Sequence, residues 1–166
     1  MQPIKIFTTG GTIDKVYFDA KSAYEVGAPN IARVLAELPL NLNYTVTSIL
    51  RKDSLEMTPA DRNVVITAVQ DAEERQIIVT HGTDTMVETA KALQEMVKDK
   101  TIVLTGALEP ALFKTSDAMF NIGCAIAAVQ SLPAGAYITM NGRVFESGNV
   151  FKDVERSRFV ALDEMK

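Results

Sequence analysis

Short runs of apolar residues are separated along this chain by polar stretches that carry most of the glycines. Ile4 to Thr8 alternates in character and runs into Gly10-Gly11, which predicts a strand ending at Thr9. Tyr44 to Leu50 is β-branched and apolar, a second strand. Gln76 to Thr80 and Thr101 to Thr105 are continuous apolar runs of the kind buried on both faces of a sheet. Gly135 to Met140 is a further strand, and Asn141-Gly142 predicts a tight hairpin into Arg143 to Phe145.

Helical spacing fills the intervals. Thr58 precedes Pro59, with Asp61 three residues on, an N-cap followed by proline at the first helical position. Val64, Val65, Ala68 and Val69 are expected to form one apolar face of that helix. Thr85 to Val97 places Met86, Ala90, Leu93 and Val97 at helical spacing. Ser116 to Gln130 reads as an alanine-rich helix capped by Thr115 or Ser116. Strands alternating with helices predict an α/β fold over residues 1–166. This is one three-layer domain of Rossmann or flavodoxin type, with helices on both faces of a mostly parallel sheet. Ligands of such sheets sit beyond the carboxyl ends of the strands, so the loops after the first, third and fourth strands hold the candidate chemistry.

Composition narrows the partners. A chain of 166 residues buries roughly 70% of its unfolded surface, enough for a core without staples. A net charge of -4, with no local run of Lys and Arg, argues against nucleic acid. No segment approaches the roughly 18 apolar residues of a membrane span. The amino terminus reads Met-Gln-Pro and then a strand, with no secretory pattern, so the expectation is a cytoplasmic protein without a membrane partner. The single cysteine, Cys124, is expected to be a small buried core residue. One histidine and one cysteine offer no cluster for zinc, and no metal or other cofactor is called for.

The three loops share glycines and hydroxyls: Thr8-Thr9-Gly10-Gly11-Thr12-Ile13, Thr80-His81-Gly82-Thr83-Asp84-Thr85 and Leu104-Thr105-Gly106-Ala107. Glycine lets backbone approach a ligand, and a following helix presents its positive end. Phosphate binding fits poorly, because the first loop lacks both a P-loop lysine and the three-glycine dinucleotide spacing. Acyl transfer fits better, needing a nucleophilic hydroxyl, a base, its partner and oxyanion donors. Each residue also has a plainer reading. Thr12 alone is a turn residue, Asp84 a helix cap, Lys152 a solvated lysine and Tyr24 a surface aromatic. His81 attracts attention as a base.

Taken together, Thr9-Gly10-Gly11-Thr12-Ile13 and His81-Gly82-Thr83-Asp84-Thr85 resemble the two motifs of the bacterial-type L-asparaginases. Tyr24-Glu25-Val26-Gly27, Asp53-Ser54-Leu55-Glu56-Met57 and Gly148-Asn149-Val150-Phe151-Lys152 match in the same order. The resemblance covers nearly the whole chain and only the family's amino-terminal domain. It implies a short, single-domain class in which the family's second domain has no counterpart.

It further implies L-asparagine as the small-molecule substrate, hydrolysed to L-aspartate and ammonia by a homo-oligomer, a dimer or tetramer. Thr12 is the implied nucleophile and Tyr24 the tyrosine of a closing loop, with Tyr17 its substitute. Thr83, Asp84 and Lys152 form a second catalytic cluster, and either threonine could attack first. Gly11, Ser54, Leu55, Gly82, Thr83 and Asp84 are the implied substrate-binding residues, Ser54 holding the α-carboxylate. His81 is implied to support its loop. Two departures stand out. Leu55 replaces a polar residue, and the second domain's acidic residue for the substrate amino group is missing, leaving Asp84 alone or assisted by Glu56. A related amidase or glutaminase, and a non-catalytic amino-acid-binding module, are the rival readings.

Overall fold

The alternation of apolar runs closes into a six-stranded sheet, which the computed structural model describes over residues 1–165. The strands are β1 (Ile4–Gly10), β2 (Lys15–Phe18), β3 (Ala23–Val26), β4 (Tyr44–Lys52), β5 (Gln76–Thr80), β6 (Thr101–Thr105), β7 (Gly135–Met140), β8 (Arg143–Glu146), β9 (Phe151–Asp153) and β10 (Arg158–Val160). The helices are α1 (Asn30–Ala36), α2 (Pro59–Asp71), α3 (Met86–Met96) and α4 (Ala118–Ser131). The main sheet has the order β4-β1-β5-β6-β7-β8, parallel except for β8. Among the parallel strands, this is the flavodoxin-like order. β2–β3 and β9–β10 are separate antiparallel hairpins.

Strand period two divides the core. Phe7, Val79, Leu104 and Ile138 face α2 and α3, whereas Ile6, Ile78 and Val103 face α1 and α4. The central strands are covered on both faces, which is why they read as unbroken apolar runs. Met86, Ala90 and Leu93 of α3 are fully buried, as their spacing predicts. On α2 the buried face is Val65, Ile66 and Val69, whereas Val64 is 45% exposed. The predicted face was thus displaced, because Ile66 rather than Val64 joins Val65 and Val69 in the buried cluster.

The caps also differ in part. Thr58 and Asp61 form a reciprocal capping box at α2, with Pro59 at its first position. α4 begins two residues later than expected, behind Asp117, with no side-chain cap. The Asp117 carboxylate turns back instead to accept from the N–H groups of Leu108 and Glu109. Ser116 Oγ accepts from Ala118 N–H. Cys124 is half-buried rather than a core residue. It lies between Ile122 and Ala125, which take the inward positions of α4.

Topology then selects the site. β1 leads leftward to β4 and, beyond it, β5 lies on the other side of β1, so the strand order reverses between β1 and β5. A crevice at such a reversal is where ligands of open α/β sheets bind. Three crossovers share one hand, through α1, α2 and α3. The β6–α4–β7 connection has the opposite hand, because α4 packs on the α1 face while the chain still moves in the same direction. Parallel crossovers are right-handed in about 98% of cases, which makes this one left-handed. It carries the loop of residues 106–117 across the top of the sheet toward β1.

Candidate active site

Three backbones meet above the switch point. Gly10 and Gly11 have φ of +105° and +85°, a region L side chains rarely adopt. A Cβ on Gly10 would lie 2.5 Å from the Lys52 carbonyl oxygen, and one on Gly11 would lie 2.5 Å from the Gly82 nitrogen. A Cβ on Gly82 would meet Ser54 Cβ at 2.6 Å. Only glycine permits this stack, and the stack brings Thr12, Thr83 and Ser54 to one place.

Thr12 opens a 3-10 turn over Thr12–Asp14. The turn is fastened beneath by Ile13, which is fully buried. The Ile13 carbonyl accepts from Ala111 N–H at 3.1 Å and from Asn30 Nδ2 at 3.2 Å. Asp14 Oδ1 accepts from Asn30 N–H at 2.8 Å. Burial pushes the Asp14 carboxyl up to about 6, against the Asn30 N–H and the more distant Arg51 charge. The Thr12 hydroxyl has no hydrogen-bond partner among the described residues.

The second cluster is assembled across 68 or more positions of sequence. Lys152 Nζ donates to Thr83 Oγ1 at 2.7 Å and to Asp84 Oδ1 at 2.6 Å. Lys152 sits on β9, paired to β10 at Phe159, whose buried ring anchors the hairpin. Thr83 is buried, while the Asp84 side chain is 39% exposed. Asp84 does not cap α3; that position falls to Thr85.

Ser54 is buried at the start of a second 3-10 turn. Its Oγ accepts from Thr85 N–H at 3.3 Å, and its carbonyl accepts from Thr85 Oγ1 at 2.9 Å. With its acceptor side engaged, the Ser54 proton is free to point into the crevice. Leu55 beside it is 72% exposed.

Tyr24 and Tyr17 face each other across the β2–β3 hairpin, with rings edge-on at 5.4 Å. Tyr24 also meets Phe113 of the 106–117 loop at 5.8 Å. Half its surface is exposed, and it makes no bond to Thr12 in this arrangement. A cleft of about 330 Å3 separates this hairpin from the Ser54 turn, lined by Lys15, Tyr24, Arg51, Asp53 and Glu56.

A family description, "Asparaginase, N-terminal", matches residues 3–165. The chain belongs to the asparaginase family. It is 30% identical to L-asparaginase 2 of Escherichia coli over 162 residues, which cover 90% of this chain and 46% of that protein. It is 32% identical to a subunit of the glutamyl-tRNA(Gln) amidotransferase of Methanococcus vannielii, covering 87% of this chain and 35% of that one. The thermostable L-asparaginase from Thermococcus kodakarensis superposes with a TM-score of 0.84 at 26% identity, over 96% of this chain and 51% of the other. This asparaginase-family chain thus spans about half the length of the relatives it matches, or less.

His81, attractive as a base, is fully buried in this family member. Its Nδ1 lies 2.8 Å from the Gly82 carbonyl, which can only accept, so Nδ1 carries the proton. Nε2 then accepts from Thr89 Oγ1 at 2.8 Å. Burial pushes the imidazole down to about 4, so it is neutral and braces the loop.

Lys15 escaped the sequence reading, and Asp53 was named there only within a matching segment. Lys15 at the root of the hairpin pairs with Asp53 Oδ2 at 2.9 Å, while Asp53 Oδ1 accepts from Leu55 N–H. The Lys15 ammonium holds the Asp53 carboxyl below the usual carboxylate range. This pair joins the hairpin to the Ser54 turn. A prediction of the β2–β3 hairpin was the only signal that could have exposed it.

Proposed function

We propose that this chain hydrolyses the side-chain amide of L-asparagine to L-aspartate and ammonia. The observation that carries the proposal is the Thr83–Lys152–Asp84 cluster, held beside the Thr12 turn by the Gly11–Gly82 contact. The substrate α-carboxylate takes the Ser54 proton, at the amino-terminal end of α3 where negative charge is favoured. The α-amino group takes Asp84, which offers a second oxygen beyond the one bound by Lys152, with Glu56 of the cleft lining as an assisting carboxylate.

Thr12 Oγ1 attacks the carboxamide carbon, and backbone N–H groups of the glycine loops stabilise the oxyanion, worth about 3 kcal/mol per donor. The Thr12 proton ends on the leaving nitrogen, ammonia departs and an ester to Thr12 remains. Water held by Thr83 and Lys152 then adds to that ester, returning a proton to Thr12 and releasing aspartate. Closure of the hairpin would bring Tyr24 over the threonine and exclude bulk water. Thr83 is the rival first nucleophile. The Lys152 amine, 2.7 Å from its Oγ1, is the group placed to assist it.

A second reading follows from Leu55. An exposed apolar side chain stands beside Ser54, which favours an amide with fewer polar groups than asparagine. Ammonia release from asparagine, glutamine and simple amides separates the two. Fastest release from asparagine supports the first reading, and fastest release from an amide lacking the α-amino group supports the second. No release from any amide, with aspartate still raising Tm, would mark a binding module. The working state is proposed to be a cytoplasmic homo-oligomer, the default for such enzymes, and light scattering would measure its mass.

A further inference from the structure

Every parallel strand of the sheet carries a hydroxyl at one level. Ser48 pairs with Thr8, Thr8 with Thr80, and Thr80 with Thr105. Thr139 follows the Leu104–Ile138 pair, and Thr105 Oγ1 donates to its carbonyl at 2.9 Å. By strand period two, all five side chains stand on the face that Ile6, Ile78 and Val103 share with α1 and α4. Thr8, Thr80, Thr105 and Thr139 are all fully buried, whereas Ser48 on edge strand β4 is exposed.

Among the described residues, the hydroxyls of Thr8, Thr80 and Thr139 have no hydrogen-bond partner, and neither has Asn121 Oδ1 on α4. Asn121 cannot be turned to relieve this, because its Nδ2 already donates to the Gly106 carbonyl at 3.0 Å and to Asp117 Oδ2 at 2.8 Å. Among the described residues, the other buried side-chain atoms without a partner are Arg62 Nε and Gln76 Oε1, and both lie elsewhere. The unpartnered groups are therefore concentrated, not scattered. Buried polar atoms are almost always satisfied, so a line of them marks a place where something else supplies the bonds.

The spacing says what. Hydroxyls one strand apart are about 4.8 Å from each other, too far for a direct bond. A single water between two of them makes two legs of about 2.8 Å at a near-tetrahedral angle. Buried waters of this kind make two to four bonds to groups that are otherwise unsatisfied. Neutral hydroxyls with no charged side chain in the row suit water rather than an anion.

We propose that this row holds a file of ordered waters, each bridging hydroxyls of neighbouring strands, reached from solvent at Ser48 and met by Asn121 Oδ1 from α4. The file fixes the separation of β1 and β5 two residues before Gly10 and three before Thr83. It thereby maintains the spacing on which the Gly11–Gly82 contact depends. The inference does not rest on which amide is the substrate.

The test joins a high-resolution crystal structure of the chain with thermal melts of Thr80→Val and Thr8→Val, and Thr80→Ser as the variant that keeps the hydroxyl. Expected are density peaks about 2.6–3.2 Å from adjacent row hydroxyls. The valine variants should lower Tm by about 2–4 °C each, with Thr80→Ser retaining the peaks. Dry bridging positions, or valine variants that melt higher than the parent, would overturn the proposal. A peak coordinated at cation distances by several row oxygens would overturn it in favour of a bound monovalent ion. The crystal structure decides the matter even where a valine variant does not fold.

Discussion

At the scale of single residues, the site depends on positions where a side chain has been withheld. Gly11 has a positive φ and sits on the Gly82 backbone, so Gly11→Ala adds both conformational strain and a collision. Such a change costs at least about 1 kcal/mol, and Tm should fall measurably while ammonia release drops more steeply. Equal losses in Gly11→Ala and in a remote Gly123→Ala, where nothing lies within 4 Å of an added Cβ, would sink this account. Leu55 is the opposite case under the proposed function, an exposed apolar side chain beside Ser54. Leu55→Gln restores one hydrogen bond to the substrate, worth about 1.5 kcal/mol, and should lower the KM for asparagine by about tenfold. An unchanged KM would show that Leu55 lies outside the binding pocket.

At the scale of elements, the chain shows which parts of the fold local pattern can announce. The runs Gln76 to Thr80 and Thr101 to Thr105 were legible because burial on both faces leaves no polar alternation. The Thr58–Pro59–Asp61 start of α2 was legible because capping is local chemistry, and Thr58→Ala should cost about 0.5–2 kcal/mol in a urea melt. The β2–β3 hairpin was not legible. Its Lys15–Phe18 and Ala23–Val26 strands have no fully buried residue, half being exposed, and carry no alternation of buried and exposed positions to read. It is held instead by long-range bonds, Lys15 to Asp53 and Asp14 to Gly27 and Asn30. The short helix α1 was missed for a similar reason, since seven residues give less than two full turns of periodicity. Motif residues such as Thr83 and Lys152 could be named from sequence, but their hydrogen bond belongs to tertiary structure. Lys15→Met should loosen the hairpin, visible as faster amide exchange over residues 15–26 with the main sheet unchanged. Exchange no faster than in the parent would mean that the ion pair is incidental.

At the scale of the whole molecule, two buried groups tie stability to pH in opposite directions. His81 is pushed from 6.5 down to about 4 by burial, so the stability that its neutral form supplies is complete above pH 6.5 and is lost toward pH 4. Asp14 is pushed from 3.8 up to about 6, so its contribution is complete below pH 3.8 and is lost as pH rises through 6. Each shift corresponds to about 3 kcal/mol, and over the shared window the two largely offset each other. Asp14→Asn removes one of them. Its unfolding free energy should fall by about 3 kcal/mol between pH 6.5 and pH 4 relative to the parent, measured by urea melts. Parallel curves for parent and variant would contradict the assignment.

The catalytic proposal is also a claim about the whole molecule, because it joins side chains from the turn after β1, the loop after β5 and strand β9 in one reaction. The most direct test is ammonia release from L-asparagine by the parent protein, the Thr12→Ala and Lys152→Met variants, and the Thr12→Ala/Thr83→Ala pair. The account predicts release by the parent, a loss of at least about a hundredfold in each single variant, and none from the pair. Undiminished release from a folded protein lacking both threonines would contradict it.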